Sequence, residues 1–268
     1  MSIAYVLNTT PKYFYLLPLH LTLFYRYTST TKVPFQVYLA TECPNDRTIQ
    51  SIRSMFPSLI ILPLTAGDFF ESRLETMKAL PIETQIVLPV QDDFLLEARP
   101  MDSILKEAIQ LFEDHAKIDS IRIMPCPGPP PSSSLYLDTS WSILEFSTSM
   151  VFTYQATLWK KEAYILFLES ILEKRSSMYG TSLSDSEKTT IAIRANLAET
   201  HVGQSVLEAL TKERGSFHLC CTRSGSQPNA VYLAPWPYRP TAVVKGTLEQ
   251  WAMDLATRES CPIEPSLR

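Results

Sequence analysis

Glycine is scarce in this chain. Seven glycines in 268 residues is far below the usual share of about 7%. No G-x-G-x-x-G and no G-x-x-x-x-G-K occurs, so a glycine-rich phosphate cradle is excluded. Cysteine is sparse too. The five present are Cys43, Cys126, Cys220, Cys221 and Cys261, an odd number with no C-x-x-C pair. A disulfide framework or structural zinc site is not expected, which suits a reducing, cytoplasmic location. Net charge is −4 without a long run of either sign, so no basic face for nucleic acid is expected. The most apolar run, YFYLLPLHLTLFY from Tyr13 to Tyr25, contains Pro18 and His20. It is too short to span a bilayer and reads as a buried helix. The opening MSIAYVLNTTPK has neither a basic start nor a small-residue cleavage site, so no signal peptide is expected.

What is there is apolar content of 45%, enough for a sizeable core. Short apolar runs alternate with helical spacing through the first hundred residues. Strands are expected at Ile3–Leu7, Phe35–Ala40, Leu59–Leu62 and Ile86–Val90. Helices are expected at Tyr13–Tyr27, at Arg47–Met55 capped by Asp46, and at Asp68–Leu80 with Phe69, Leu74, Met77 and Leu80 facing inward. That alternation argues for parallel strands joined by crossover helices. Asp102 is placed to cap a helix running to about His115, and Ser120–Met124 reads as a further strand. The stretch PCPGPPPSSS, Pro125 to Ser134, reads as a loop, either a flap over a site or a plain connector. Beyond it, Trp141–Thr153 reads as strands or a hairpin, Leu158–Lys174 and much of Glu187–Leu210 as helix, and Val231–Ala234 as a short strand.

The chemistry concentrates in TQIVLPVQDDFLLEARP, Thr84 to Pro100, where Asp92 and Asp93 close an apolar strand. Burying an unpaired carboxylate is costly, so such a doublet needs a cationic partner, a helix N-terminus or solvent. In open parallel sheets, ligands sit beyond the carboxyl ends of the strands. The segments NTT (Asn8, Thr9, Thr10) and QDD (Gln91, Asp92, Asp93) both fall at such ends. Short hydroxyl and amide side chains suit hydrogen bonding to a ligand there, and equally suit an ordinary turn. A divalent cation such as Mn²⁺ or Mg²⁺ takes hard oxygen ligands, often one or two carboxylates with phosphates and water.

The strand QIVLPVQDDFLL resembles the DxD-type motif strand of GT-A glycosyltransferases, in particular small bacterial and large-DNA-virus (chlorovirus-like) sugar transferases with a QDDF-like core. Three further segments extend the resemblance over most of the chain: Phe146–Leu172, with a Q-x-x-x-W at Gln155 and Trp159 before a basic pair; SDSEKTTIAIRAN, Ser184–Asn196; and PYRPTAVVKG, Pro237–Gly246. The aspartates here are adjacent, where the family pattern is D-x-D. The resemblance implies a single α/β domain of GT-A-like, Rossmann-like build, with a mostly parallel central sheet flanked by helices. Residues 1–125 would form the nucleotide-sugar-binding half, and 126–268 an acceptor-side half of helices and a hairpin.

It also implies roles. Asn8, Thr9 and Thr10 fall where a base and ribose sit in the family, and Arg73 where a basic residue reaches base or diphosphate. The alternative for Arg73 is a surface salt bridge with Glu75 or Glu71. Gln91 and Asp92 would serve the nucleotide-sugar, Asp93 the metal, and Lys245 the diphosphate. Trp159 would form a sugar-stacking platform on the acceptor side, with Gln155, or else pack in the core. Glu187, then Asp185, would be the base of an inverting transfer, or else charges in a capping box begun by Ser184. His201 and His218 are possible additional metal ligands. The expected partners are a nucleotide-sugar, UDP-linked by preference, and a glycan or glycoprotein acceptor. The competing classes are a metal-dependent nucleotidyltransferase or phosphohydrolase on a related sheet, and an inert carbohydrate- or partner-binding domain.

Overall fold

The computed structural model describes residues 2–65, 67–124, 136, 141–146, 151–179 (backbone only for 175–179), 202–221, 234–239, 241–244, 246–261 and 263. The proline-rich stretch 125–134 and the segment 180–201 lie outside them.

The first half follows the expected alternation. Strand β1 (Ile3–Asn8) leads through a 3-10 turn (Pro11–Leu16) into helix α1 (Leu17–Thr28). Pro18 sits in the first turn of α1, where its missing N–H costs nothing. Then come β2 (Phe35–Thr41), α2 (Arg47–Met55), β3 (Ile60–Pro63), α3 (Phe69–Ala79) and β4 (Ile86–Gln91). Asp46 caps α2 as expected, accepting from the Thr48 amide at 2.7 Å. Asp68 caps α3 through the amides of Phe70 and Glu71. The inward face of α3 is rotated from the expected one. Phe70, Arg73, Thr76 and Met77 are buried, while Phe69 and Leu74 are half-buried at its margin.

After the short β5 (Leu95–Leu96), α4 runs Asp102–Asp114. Asp102 is not its cap. It lies inside the first turn, accepts from the Lys32 amide and pairs with Arg99 at 2.8 Å. Strand β6 occupies Ile118–Arg122, two residues earlier than expected, and β7 is Trp141–Ile143. The helix expected from Leu158 begins later. Thr157–Lys160 is strand β8, and α5 is Lys161–Tyr179. Leu158 packs into one core layer and Trp159 into the other. Burial on both faces removes the alternation that marks a strand in sequence. Helix α6 (Val202–Arg214), β9 (Phe217–Cys221), β10 (Tyr238–Arg239), the β11–β12 hairpin (Val243–Val244 and Thr247–Leu248) and α7 (Gln250–Arg258) complete the described elements.

Among the described residues, eight strands form one sheet in the order β3-β2-β1-β4-β8-β6-β9-β7. The β3-β2-β1-β4 block is parallel, as is the β6–β9 pair; β8 runs antiparallel between the blocks, and β7 is antiparallel to β9. The mostly parallel α/β sheet flanked by helices is therefore as the sequence led one to expect. Strand β8 pairs with β4 only at Ile86 and Val87, so at Pro89 no strand on that side needs an N–H. Ile3, Tyr5, Leu7, Ile86, Leu88 and Val90 face α1, α2 and α4, whereas Ala4, Val6 and Val87 face α3, α5 and α6.

The basic pair where β8 meets α5 has a structural use. Lys160 donates to Ala116 O at 2.6 Å just past α4, and Lys161 donates to Pro81 O at 2.8 Å just past α3. Both ammoniums satisfy carbonyls near the negative ends of helices.

Candidate active site

Strand β4 ends at Gln91, and the Phe94 amide closes a turn on Gln91 O at 3.2 Å. The two acids occupy the middle of that turn, yet Asp92 is only 7% exposed and Asp93 8%. They are not solvated surface residues. Thr9, just past the end of β1, donates its hydroxyl to Asp92 Oδ2 at 2.9 Å. His20 on α1 reaches the Asp92 carbonyl with Nδ1 at 3.0 Å. On the other side, the Ala242 amide donates to Asp93 O at 3.0 Å. Oδ1 of Asp93 is buried and has no hydrogen-bond partner among the described residues.

The charge balance is unfavourable. Burial, then the neighbouring Asp93 charge, pushes Asp92 up to about 7; the Thr9 hydrogen bond and the Arg73 guanidinium only partly oppose this. Burial pushes Asp93 up to about 6, opposed by the Val243 amide. Two like charges share a desolvated turn with little compensation, which is the situation a cation relieves.

Beyond the ends of β1, β2 and β4 lies a cavity of about 190 Å³. Six of the residues expected at the site line it: Asn8, Thr9, Thr10, Arg73, Gln91 and Asp92. Their individual placements differ from the simple expectation. Asn8 is engaged inward, donating to Thr76 Oγ1 at 2.8 Å. Arg73 is not in a surface salt bridge. It is buried, its guanidinium lies 3.6 Å from the Phe69 ring centroid, and it hydrogen-bonds Tyr164. Glu75 instead holds the Thr65 amide and hydroxyl. Beside the cavity, a hollow of about 10 Å³ brings Arg73 and Gln91 together with Gln155 and Trp159. Gln155 Oε1 accepts from the Tyr238 hydroxyl. Trp159 lies in the core, 5% exposed, stacked on Phe167 and tilted against Tyr164.

His218 is not with the doublet. It is buried among Ser120, at 2.8 Å from Nδ1, and Thr211, at 3.0 Å from Nε2, and burial lowers it to about 4. Both ring nitrogens are engaged there, by Ser120 and Thr211. Asp185, Glu187, His201 and Lys245 lie outside the described residues.

Sequence reasoning missed several cavity residues, including Tyr13, Glu42, Phe69 and Ser72. Glu42 follows the last residue of β2 as Asp92 follows that of β4. The strand-end rule that selected NTT and QDD would also have selected it. No three His, Cys, Asp or Glu residues gather in a metal-ligating arrangement among the described residues. The doublet nevertheless fits a hard divalent ion that takes its remaining ligands from phosphate and water. The Asp93 oxygen without a partner among the described residues and the partly compensated charge are the features that fit.

No family model and no curated protein matches the chain. Solved structures with a similar course of the chain do exist. S. aureus TarS 1–349 is 15% identical at a TM-score of 0.45, over 84% of this chain and 59% of that one. The 4-diphosphocytidyl-2C-methyl-D-erythritol synthase of Anaerococcus prevotii is 11% identical at 0.48, over 97% and 95%. A mannosyltransferase of Pyrobaculum calidifontis in complex with GDP-Man and Mn²⁺ is 12% identical at 0.41, over 65% and 46%. This chain thus spans about three-fifths of the TarS chain and under half of the mannosyltransferase. Likeness at this level carries no argument about activity.

Proposed function

We propose that the protein is a metal-assisted glycosyltransferase that moves a sugar from a nucleotide-sugar, with UDP the preferred nucleotide, to a glycan hydroxyl. The observation that carries this reading is the position of Asp92. It lines a cavity at the carboxyl ends of three parallel strands, with Arg73 on the same wall and Asp93 adjacent.

Each role follows from chemistry. Glu42 is an acceptor at the cavity wall. A carboxylate there accepts from a base edge that presents an N–H, as uracil and guanine do. Arg73, buried against Phe69 and bonded to Tyr164, would offer its guanidinium to the diphosphate. Asp93 holds the cation through its unpartnered oxygen, and Asp92 faces the donor. A divalent ion bound there supplies charge neutralisation as the diphosphate leaves. Lys245 assists at the diphosphate. Glu187, or failing it Asp185, takes the acceptor proton, which makes the transfer inverting. Gln155 adjoins the acceptor side beside Gln91.

The test is thermal unfolding with UDP, GDP and CDP, each with and without Mn²⁺. UDP with Mn²⁺ raises the melting temperature most, because binding at a hundred times Kd stabilises by about 2.7 kcal/mol. Asp93→Asn abolishes the metal-dependent part while the circular dichroism spectrum is unchanged. Wild-type donor affinity in Asp93→Asn refutes the ligand role. Pyrophosphate release from a nucleoside triphosphate indicates the nucleotidyltransferase class instead, and no response to any nucleotide indicates a domain without a donor site.

A further inference from the structure

Helix α1 buries its face with Leu17, Leu19, Leu21, Leu23 and Phe24, and in their midst stands His20, 2% exposed. A buried imidazole costs free energy unless both ring nitrogens are satisfied. Here they are. Nδ1 lies 3.0 Å from the Asp92 carbonyl, and Nε2 lies 2.6 Å from the Tyr5 hydroxyl. A carbonyl can only accept, so Nδ1 carries the proton. In the neutral ring Nε2 then has a lone pair, and the Tyr5 hydroxyl donates to it. Tyr5 is fully buried on β1, with its ring against Phe24 at 4.1 Å and Trp236 at 5.9 Å. Its hydroxyl is therefore a fixed anchor.

We infer that His20 is a positioning residue for the acidic doublet, holding the peptide plane between Asp92 and Asp93 through Nδ1–H while Tyr5 fixes its tautomer. The carbonyl it grips belongs to the bond that joins the two acids, so one hydrogen bond orients both. The next carbonyl, that of Asp93, is held by the Ala242 amide. Packing alone does not require this pair. Replacing both partners of a buried hydrogen bond by apolar groups of similar shape is often close to neutral for stability. The benefit of the polar pair lies in where it points, which is the role of outer-shell partners around ligand-bearing groups.

The value of the doublet as a cation and nucleotide ligand rests on the function proposed above; the positioning itself does not. The experiment therefore has two arms. The first needs no ligand. Nitrogen-15 NMR of labelled histidine finds His20 protonated at Nδ1 and bare at Nε2, and amide hydrogen exchange at residues 92–94 is about tenfold faster in the double variant Tyr5→Phe/His20→Leu, with β2 unaffected. In the second, Mn²⁺-dependent UDP binding by that folded variant weakens about ten- to a hundredfold. His20→Asn, which keeps a donor near the Nδ1 position, recovers most of the loss. A proton found on Nε2, or a double variant with wild-type exchange at 92–94, overturns the inference. If the wild type binds neither UDP nor Mn²⁺, the proposed function fails, and the ligand-free arm alone decides the positioning.

Discussion

The acidic doublet should make the ligand-free protein less stable as pH rises, and the effect can be isolated. Asp92 and Asp93 are lifted from 3.8 to about 7 and about 6. The folded state thus retains protons that the unfolded chain releases from about pH 4 upward. The stabilisation is fully present below the unfolded value and is lost as pH climbs through the folded one. For Asp92 the gap of about 3 units, at about 1.4 kcal/mol each, amounts to about 4 kcal/mol. Asp93 acts in the same direction, and because the two share their repulsion the joint effect is smaller than the sum. Two histidines oppose this. Burial lowers His20 and His218 from 6.5 to about 4. Their stabilisation is present above the unfolded value and is lost as pH falls towards 4. Between pH 4 and 6.5 the two pairs nearly cancel, so the bare wild-type profile is uninformative. The informative quantity is the difference from Asp92→Asn, whose amide oxygen still accepts from Thr9. Urea unfolding at pH 5, 6, 7 and 8 should find the variant gaining on wild type by about 3 kcal/mol across that range. Of the neighbours facing the turn, Arg73 pulls Asp92 down, and Tyr15 carries a phenol whose pKa is itself raised. Mn²⁺ should reverse the trend in the wild type, stabilising more at pH 8 than at pH 5, because it binds the deprotonated pair. A difference that stays flat from pH 5 to 8 would refute the reading of two buried, poorly compensated acids.

Two further predictions concern the frame. A Cβ on Gly203 would lie 2.5 Å from Phe152 Cδ1, so Gly203→Ala should cost about 1–3 kcal/mol in chemical denaturation, part of it recovered by adding Phe152→Leu. Lys161→Met removes the ammonium that donates to Leu80 O and Pro81 O; it should cost about 1 kcal/mol while leaving the UDP-induced melting shift unchanged.

The first half of the fold was legible because its strands are short apolar runs closed by polar turns and its helices carry caps such as Asp46. Strand β8 was not, because Leu158 and Trp159 are buried on opposite faces and only Lys160, Lys161 and Glu162 part them from the apolar spacing of α5. The rotation of α3 escaped because Phe69 and Phe70 fit the helical period almost equally well. Only the cap at Asp68 and the packing against α5 select Phe70. The doublet and its strand-end position were visible as sequence, but their burial without adequate counter-charge depends on how Thr9, His20 and Ala242 close around them. Glu42 was hidden by being an ordinary exposed acid. His20 was hidden by looking like one polar residue in a core helix.

The surroundings of the doublet argue for a ligand more strongly than the acids do. Thr9 from the end of β1, His20 from α1 and Ala242 just before β11 each approach the turn from a different part of the chain. Each bond orients a carboxylate or the peptide that carries it, and none adds positive charge. Among the described residues Arg73 does so, and it leaves Asp92 still raised. A turn shaped merely for stability would carry asparagine at these positions, with the same hydrogen bonds and no charge to desolvate. Keeping two acids there costs the free protein stability above neutral pH. On the function proposed above, a cation at Asp93 Oδ1, which has no hydrogen-bond partner among the described residues, would offset that cost.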